Sequence, residues 1–559
     1  LERVVLRFDR EESPQQKVGK LEGFLVQYGL PLAEAVPLLA AFLSLPLPAD
    51  YAPLTMSPEQ QKQQTLHALL TILLRIAAQQ PVLFVMEDLH WVDPSTLEFL
   101  TLLVDQGPTA RILALCAFRP DFSPPWTGRA HLTQVTINRL PRRQAVEVSR
   151  QVAHGKALPP EVVAQIVTKT DGVPLFVEEL TKMVLESGLL QEHAEHYELR
   201  GPLPPLAIPA TLHDSLMARL DRLATVKGLA QLAATLGREF SYELLQAVSP
   251  WDEVTVQRGL QQLVEAEFLY QQGLPPQATY LFKHALIQEA AYQSLLRSTR
   301  QQHHQHIAQV LEVRFPALCE TQPELLAHHC TEASLHEQAI RYWHKAGQRA
   351  SDRSAHLEAI GHLTSGLAVL TTLSATPERT QQGVAMRRAL PETPVRLQQE
   401  LDMQVALGAA LIATQGQATP AVERAYARAR ALCAQLGNTP QLFPVLRGLM
   451  LYYQQRGDLQ TTSHLGEHLL RLAQAQSDAA HLLLAHYMLG MVLFWRGEPA
   501  AARTHHTQAL ALYDPQAHRA LAVRYGVDLG VQSHSHLARE LWYLGFPAQA
   551  LQHSQAART

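Results

Sequence analysis

Four apolar stretches near the C-terminal end, 407–416, 447–457, 489–497 and 537–545, each close on a glycine, and the closing glycines are 41, 40 and 48 residues apart. An isolated helix of this length is marginal in water, so its apolar face must find a neighbour. A glycine just past the last turn supplies the left-handed cap that ends a helix. A second amphipathic stretch follows each glycine, as at 500–513. One helix pair per period cannot bury its own apolar face, whereas stacked pairs bury a continuous one. Gly408, Gly448 and Gly490 lie inside the first helices, where small residues allow close packing. Residues 398–559 are therefore expected to form an α-solenoid. The 48-residue spacing keeps an irregular helical bundle as the alternative.

The N-terminal part follows another pattern. Val82 to Met86 are all apolar and run directly into Glu87 and Asp88, followed by His90, Trp91, Asp93 and Pro94. A short all-apolar run suits a strand buried on both faces of a parallel sheet. The two carboxylates then fall at its carboxyl end, where open α/β sheets place ligands. Paired acids there can hold Mg²⁺ and orient a water, as in a Walker B strand, and either residue can take either part. A solvated acid pair at a strand end is the plainer reading. A helix is expected over 60–80, a second helix begins at Pro94 with Asp93 as its N-cap, and a second buried strand covers 111–118. Strand, helix and strand with short turns make a βαβ unit. Arg119 ends the second strand, where it can stabilise charge on a phosphate, or simply pair with Asp121 or face solvent.

Residues 141–205 read as helical and close on a proline-rich run beginning at Gly201. Within them, Asp171, Gly172, Val173 and Pro174 set a sharp turn before a helix. Such a turn can press Pro174 against an adenine ring, or merely join two helices. Residues 206–315 alternate helices with a hairpin-like piece at 268–282, the pattern of a winged helix. Residues 316–370 read as a first helical repeat region and 371–397 as a linker. The 559 residues suffice for roughly three to five domains.

A formal net charge of −4 with 18% charged residues argues against a broadly basic nucleic-acid surface. The four cysteines, Cys116, Cys319, Cys330 and Cys433, are far apart, which disfavours a disulfide framework or zinc ribbon and fits a cytoplasmic location. The apolar region 66–86 is interrupted by Arg75, Gln79, Gln80 and Pro81, so no membrane partner is expected. His303, His304 and His306, and the pair His328 and His329, invite a metal reading. With 27 histidines in the chain, chance clustering is the simpler account.

Three segments together carry a resemblance: Leu83 to Pro94, Ala117 to Phe122, and Asp171 to Leu180. In this order they resemble the STAND class of signalling ATPases (AAA/NB-ARC-like). More narrowly, they resemble bacterial ATPase modules found behind adenylate/guanylate cyclase, kinase or transcription-activator domains. Residues 280–296 resemble the end of that family's winged helix and 339–350 the start of its helical repeats. The resemblance spans about residues 60–370, and more loosely the repeats, whose period is that of slightly long tetratricopeptide repeats. It implies a multidomain α/β plus α protein: a partial P-loop NTPase parallel sheet over 1–140, a helical lid over 141–205, a winged helix over 206–315 and a C-terminal α-solenoid of tetratricopeptide type. It also implies ATP or ADP and Mg²⁺ as cofactors. Glu87, Asp88 and Arg119 would be catalytic, with the two acids holding Mg²⁺. Gly172 and Pro174 would contact the nucleotide, and His284 stands where related switches place a phosphate-sensing histidine, although a packed or capping histidine is an equal reading.

The family's phosphate loop, Gly-x-x-x-x-Gly-Lys-Ser/Thr, has no match in these residues: the Gly-Lys pairs are Gly19-Lys20 and Gly155-Lys156, followed by Leu and Ala. In family order that loop precedes residue 1, and the chain begins on Leu as if in mid-domain, so it reads as an N-terminally truncated fragment, inactive alone. The leading expectation is an ATP-hydrolysing signal-transduction switch, coupling nucleotide state to a helical-repeat sensor and an output domain. The alternative is a non-enzymatic scaffold binding a protein or peptide on its repeats. A DNA-binding regulator is a third reading, not favoured because no helix is rich in Arg and Lys. The class also admits a nucleotide-driven homo-oligomer.

Overall fold

The computed structural model describes all residues except 1–5, 7, 9–11, 55, 127, 202–208, 210, 224–225, 375–392, 438, 519–527 and 559. Most of the proline-rich run after Gly201, and the 375–392 part of the expected linker, lie outside the described residues. The described chain is mainly helical with three small sheets, and it divides into two compact units, one made of Leu1–Leu132 with Ile340–Thr559 and the other of Thr133–Ala339. No helix among the described residues is long and apolar enough to cross a membrane.

In the first unit, helix Pro58–Gln79 starts on a capping box, in which Ser57 accepts from the Gln60 N–H and Gln60 returns a bond to the Ser57 N–H. It leads into β1 (Val82–Met86), helix Pro94–Gln106 and β2 (Ile112–Cys116). Asp93 caps the second helix as expected, accepting from the Thr96 N–H at 2.8 Å, with Pro94 in its first turn. β1 and β2 pair in parallel, Val82 opposite Ile112 and Met86 opposite Cys116. The expected burial on both faces is not met. Phe84, Met86, Ile112 and Cys116 pack on a core of Leu70, Leu89, Leu100, Leu103 and Trp126. Leu83 and Val85, paired with Leu113 and Leu115, are 50–62% exposed on the other face. Both flanking helices supply that one core, so the opposite face has no cover among the described residues. An apolar run gives the strand but not the layer that must cover it.

The same unit contains the helical repeats. From helix His356–Ser374 onward, each described helix packs on the next described one: Pro394–Gln415, Pro420–Leu436, Leu442–Gln455, Leu459–Gln476, Ala479–Trp495, Pro499–Leu512, Leu529–Tyr543 and Pro547–Ala556. Gly416, Gly457, Gly497 and Gly545 all take positive φ, between 77° and 85°, as a glycine closing a helix should. The inner glycines seat rings from neighbouring helices. A Cβ on Gly408 or Gly448 would stand 2.6 or 2.4 Å from the Tyr426 ring, and one on Gly490 would stand 2.8 Å from His506. The α/β segment is tied to the first of these helices. The Ser95 N–H donates to Glu358 at 2.9 Å, and Lys62 reaches both Glu98 at 2.8 Å and the Ser354 carbonyl at 3.3 Å.

The second unit opens with helices Arg142–Val152, Pro160–Thr170 and Pro174–Glu186, packed around Ala145, Val162, Ile166, Phe176, Val177 and Leu180. The stretch expected to be helical also contains a hairpin, β3 (Leu190–Glu192) with β4 (Tyr197–Leu199). Leu190, Tyr197 and Leu199 join the helical core while Gln191 and Glu198 face out, and this alternation favours a strand over a helix. Further on, β5 (Glu239–Ser241), β6 (Leu269–Gln272) and β7 (Thr279–Phe282) form an antiparallel sheet in the order β5-β7-β6, with helices between and after them. Phe240 stacks on Tyr280 at 5.8 Å between ring centroids, and both are buried.

Candidate functional site

The carboxyl ends of β1 and β2 are built by a ladder that continues past the strands. The Ala117 N–H donates to Met86 O and the Leu89 N–H to Ala117 O, both at 2.9 Å. Between these bonds Asp88 takes φ 54° and ψ 41°, the left-handed region that Asp tolerates better than most residues. The turn drives Leu89 fully into the core and leaves Glu87 exposed and Asp88 half-buried at the strand end. Arg119 follows β2 by three residues, with its guanidinium 5.3 Å from the Trp91 ring centroid. The structure thus brings Glu87, Asp88 and Arg119 to the same ends of neighbouring strands.

Two carboxylates are the oxygen donors that Mg²⁺ prefers. Beside them on the short helical turn Leu89–Trp91, both ring nitrogens of His90 are shielded from solvent and make no hydrogen bond. A polar ligand at this strand end would relieve that cost. The residues present therefore fit the metal half of a nucleotide site. Sequence reading placed His90 within the motif but gave it no part.

Gly172, Pro174 and His284 belong to the second unit. Gly172 has φ 70°, its carbonyl accepts from the Leu140 N–H at 2.7 Å, and a Cβ there would meet Leu140 O at 2.2 Å. Asp171 precedes it in the left-handed region and pairs with Arg139. Pro174 begins helix Pro174–Glu186, so the expected sharp turn is present and leaves room for glycine alone at its centre. His284 is the N-cap of helix Ala285–Gln293 and lends no side-chain cap. Burial pushes its pKa down, and the Lys283 charge adds to this, against an opposing pull from Glu178 and Glu179. Those acids lie on the helix that Pro174 starts, so His284 and the Gly172–Pro174 turn flank one element.

That helix also carries a linked charge network, which the sequence reading missed. Glu178 binds Lys182 at 2.6 Å and Lys283 at 3.1 Å, and Glu267 joins both lysines. Hydrogen bonds from Lys182 and Lys283 hold the Glu267 carboxyl down to about 2. Arg219 is 3% exposed and bonds Glu179, which is fully buried, as well as Glu186 and the Ala266 carbonyl. Its guanidinium also covers Phe268 at 4.9 Å. Glu178, Glu179 and Glu186 on a helix with an apolar face, with Lys182 between them, were the available signal.

Of the histidines in the two sequence clusters, His304 and His329 are buried, whereas His306 and His328 are exposed. His304 and His329 face each other through Nδ1 at 2.8 Å, and the Tyr292 hydroxyl lies 3.0 Å from His304 Nε2. Burial lowers His304 to about 4 and His329 to about 3.

No protein-family model matches the chain. It is 25% identical over 501 residues to an uncharacterised protein of Rhizobium meliloti (strain 1021), covering 87% of this chain and 46% of that protein, so it spans about half the length of the relative. Among solved structures, a signal transduction ATPase with numerous domains carrying a tetratricopeptide repeat sensor, from Pyrococcus horikoshii, aligns with 98% of this chain and 75% of its own. The identity is 12% and the TM-score 0.35, too low for a shared fold to be read from it.

Proposed function

We propose that this chain is the switch portion of an ATP-dependent signalling protein, in which helical repeats read the state of a strand-end acid site. One observation carries the reading: the parallel pair β1–β2 sets Glu87, Asp88 and Arg119 at adjacent strand ends. The next helix, Pro94–Gln106, adds support through the bond from its Ser95 N–H to Glu358 of the repeats. In this reading the carboxylates of Glu87 and Asp88 hold Mg²⁺ and orient the attacking water, and Arg119 stabilises charge developing on the transferred phosphoryl group. ATP with Mg²⁺, when bound, supplies the scissile phosphoanhydride and the cation that offsets its charge. Residues 141–205 act as a lid, 206–315 as a winged helix and the repeats as a tetratricopeptide-type sensor. This reading requires a phosphate-holding loop supplied by residues other than these 559. The test is Mg²⁺-dependent ATP binding and hydrolysis by the longest native protein that contains this chain, beside its Glu87→Gln/Asp88→Asn variant. The proposal expects binding in the first and loss of hydrolysis in the second; no binding in the native protein sinks it.

A second reading, a protein-binding scaffold, draws on exposed aromatic surface in the repeats. Trp542 and Tyr543 are 67% and 72% exposed and border a groove of about 530 Å³ between the last two described helices. Partner binding that survives Glu87→Gln/Asp88→Asn and fails in Trp542→Ala would favour it.

A further inference from the structure

The hairpin β3–β4 carries a donor cluster that neither the nucleotide reading nor the scaffold reading uses. His193 lies in the turn, His196 just before β4, and Glu198 inside it. Each offers one donor atom, and the three atoms lie within 4.8 Å of one another. His196 and Glu198 are two residues apart in extended backbone and so share a face, opposite Tyr197, which joins the core. The His193 and His196 rings stack with centroids 4.9 Å apart and planes 15° from parallel. The Glu198 carboxylate stands 3.5 Å from His193 Nε2. That nitrogen is shielded from solvent and has no hydrogen bond.

The backbone beneath the cluster is held in place. The His193 N–H donates to His196 O at 2.9 Å and closes the turn. Ala157 pairs along the hairpin edge, donating to Glu195 O at 3.1 Å and accepting from the Tyr197 N–H at 2.8 Å. Lys156 donates to His193 O at 3.0 Å, and its charge is matched by Glu192 at 2.5 Å. The lysine therefore pins the turn while its ammonium is committed to an acid outside the cluster.

We propose that His193, His196 and Glu198 form a site for Zn²⁺ or another late first-row divalent ion, with its remaining position open to water or to a ligand from another molecule. Two imidazoles and one carboxylate are the donor set of open three-ligand zinc sites. Imidazole donors select against Mg²⁺ and Ca²⁺, which take oxygen ligands. Zinc bond lengths put tetrahedral donors about 3.3 Å apart. With no two donor atoms more than 4.8 Å apart, the closure needed is at most about 1.5 Å, within the reach of side-chain rotation at this partly exposed turn. The bound ion would satisfy the orphaned His193 nitrogen and cross-link the turn to β4. A plain His–Glu ion pair would satisfy the same geometry without a metal, and the test separates the two.

The full chain, stripped with a chelator, is titrated with Zn²⁺ by calorimetry, beside His193→Ala/His196→Ala and Glu198→Gln. Other histidines also take up metal, so the reading is the difference between proteins. The site predicts one fewer bound equivalent in the double variant. In Glu198→Gln the same equivalent weakens by at least about 10-fold. Mg²⁺ in place of Zn²⁺ gives no difference among the three. Should the double variant lose its fold, Glu198→Gln, at an exposed position, carries the test alone. Identical stoichiometry and affinity in all three proteins overturns the proposal.

Discussion

Two charged regions differ in almost every physical respect. Glu87, Asp88 and Arg119 stand at the open end of a two-stranded sheet, one acid exposed and the other half-buried. Glu179 and Arg219, with Glu178, Lys182, Glu267 and Lys283 beside them, stitch together two helices and the approach to β6 in the second unit. The first region is conspicuous in sequence and contributes little to the packing. The second is inconspicuous in sequence and includes a buried ion pair, Glu179 with Arg219. A strand-end motif places chemistry where a ligand can reach it, whereas a buried pair must be satisfied by the protein itself.

The largest effect expected from this contrast is at Arg219. Arg219→Ala leaves the fully buried Glu179 carboxylate without its hydrogen-bonded partner, with only the longer 3.9 Å contact to Lys182, and uncovers Phe268. Breaking a buried pair on one side costs about 3–5 kcal/mol. Urea unfolding of the full chain should show that loss in the transition of the second unit, and a cost below about 1 kcal/mol would make the network peripheral. Replacing both partners, Arg219→Leu with Glu179→Met, should recover most of it, because two apolar groups of similar volume leave no stranded charge.

Gly172→Ala comes next. Its Cβ would lie 2.2 Å from a backbone oxygen at φ 70°, so the turn must move. A cost of roughly 2–3 kcal/mol is expected in the same unfolding assay. An effect on nucleotide binding without one on stability would give this glycine a direct part in the site.

Acid should act on the second unit through its buried histidines. His304 and His329 have folded pKa values of about 4 and 3, below the unfolded value near 6.5, because burial disfavours their charge. The unfolded chain therefore binds more protons between about pH 6.5 and 4, and stability falls as pH drops through that window. Each pH unit is worth at most 1.4 kcal/mol per group, so a loss of about 2 kcal/mol per histidine, roughly 4 kcal/mol for the two, is expected by pH 5. His329→Phe should flatten the dependence. Glu267 works at lower pH: its folded pKa of about 2 lies below the unfolded value near 4.5, so its contribution persists above about pH 4.5 and is lost on the way down to 2.

The unequal legibility of these regions has a physical cause. The strand Val82–Met86, the Asp93 cap and the closing glycines are local signals, fixed by residues within a few positions of one another, and the structure places them where the sequence does. Glu179 and Arg219 are 40 residues apart and meet only once two helices pack. The open face of Leu83, Val85, Leu113 and Leu115 is likewise invisible in the run that makes the strand, because exposure depends on which side the neighbouring helices take. The β3–β4 hairpin escaped notice because two three-residue strands among helices give too short an alternation to outweigh their context. Of the six site residues expected, Gly172 and Pro174 are explained by the turn they make, while Glu87, Asp88 and Arg119 gain a shared location, with Arg119 resting over the Trp91 ring.

The smallest stability effect is therefore predicted at the residues most visible in sequence. Glu87→Gln/Asp88→Asn removes two charges from a strand end while keeping the side-chain volumes. Asp88 holds a left-handed backbone conformation, and Asn tolerates it as well as Asp does. Exposed substitutions of this kind stay within about 0.5 kcal/mol. A destabilisation above about 2 kcal/mol would place the acid pair with Glu179 and Arg219, as groups the fold itself uses, and would erase the contrast. A near-silent result in the unfolding assay, together with lost ATP hydrolysis in the longer native protein, would sharpen it: these carboxylates would then be held at the strand end for a ligand, since the fold does not need them.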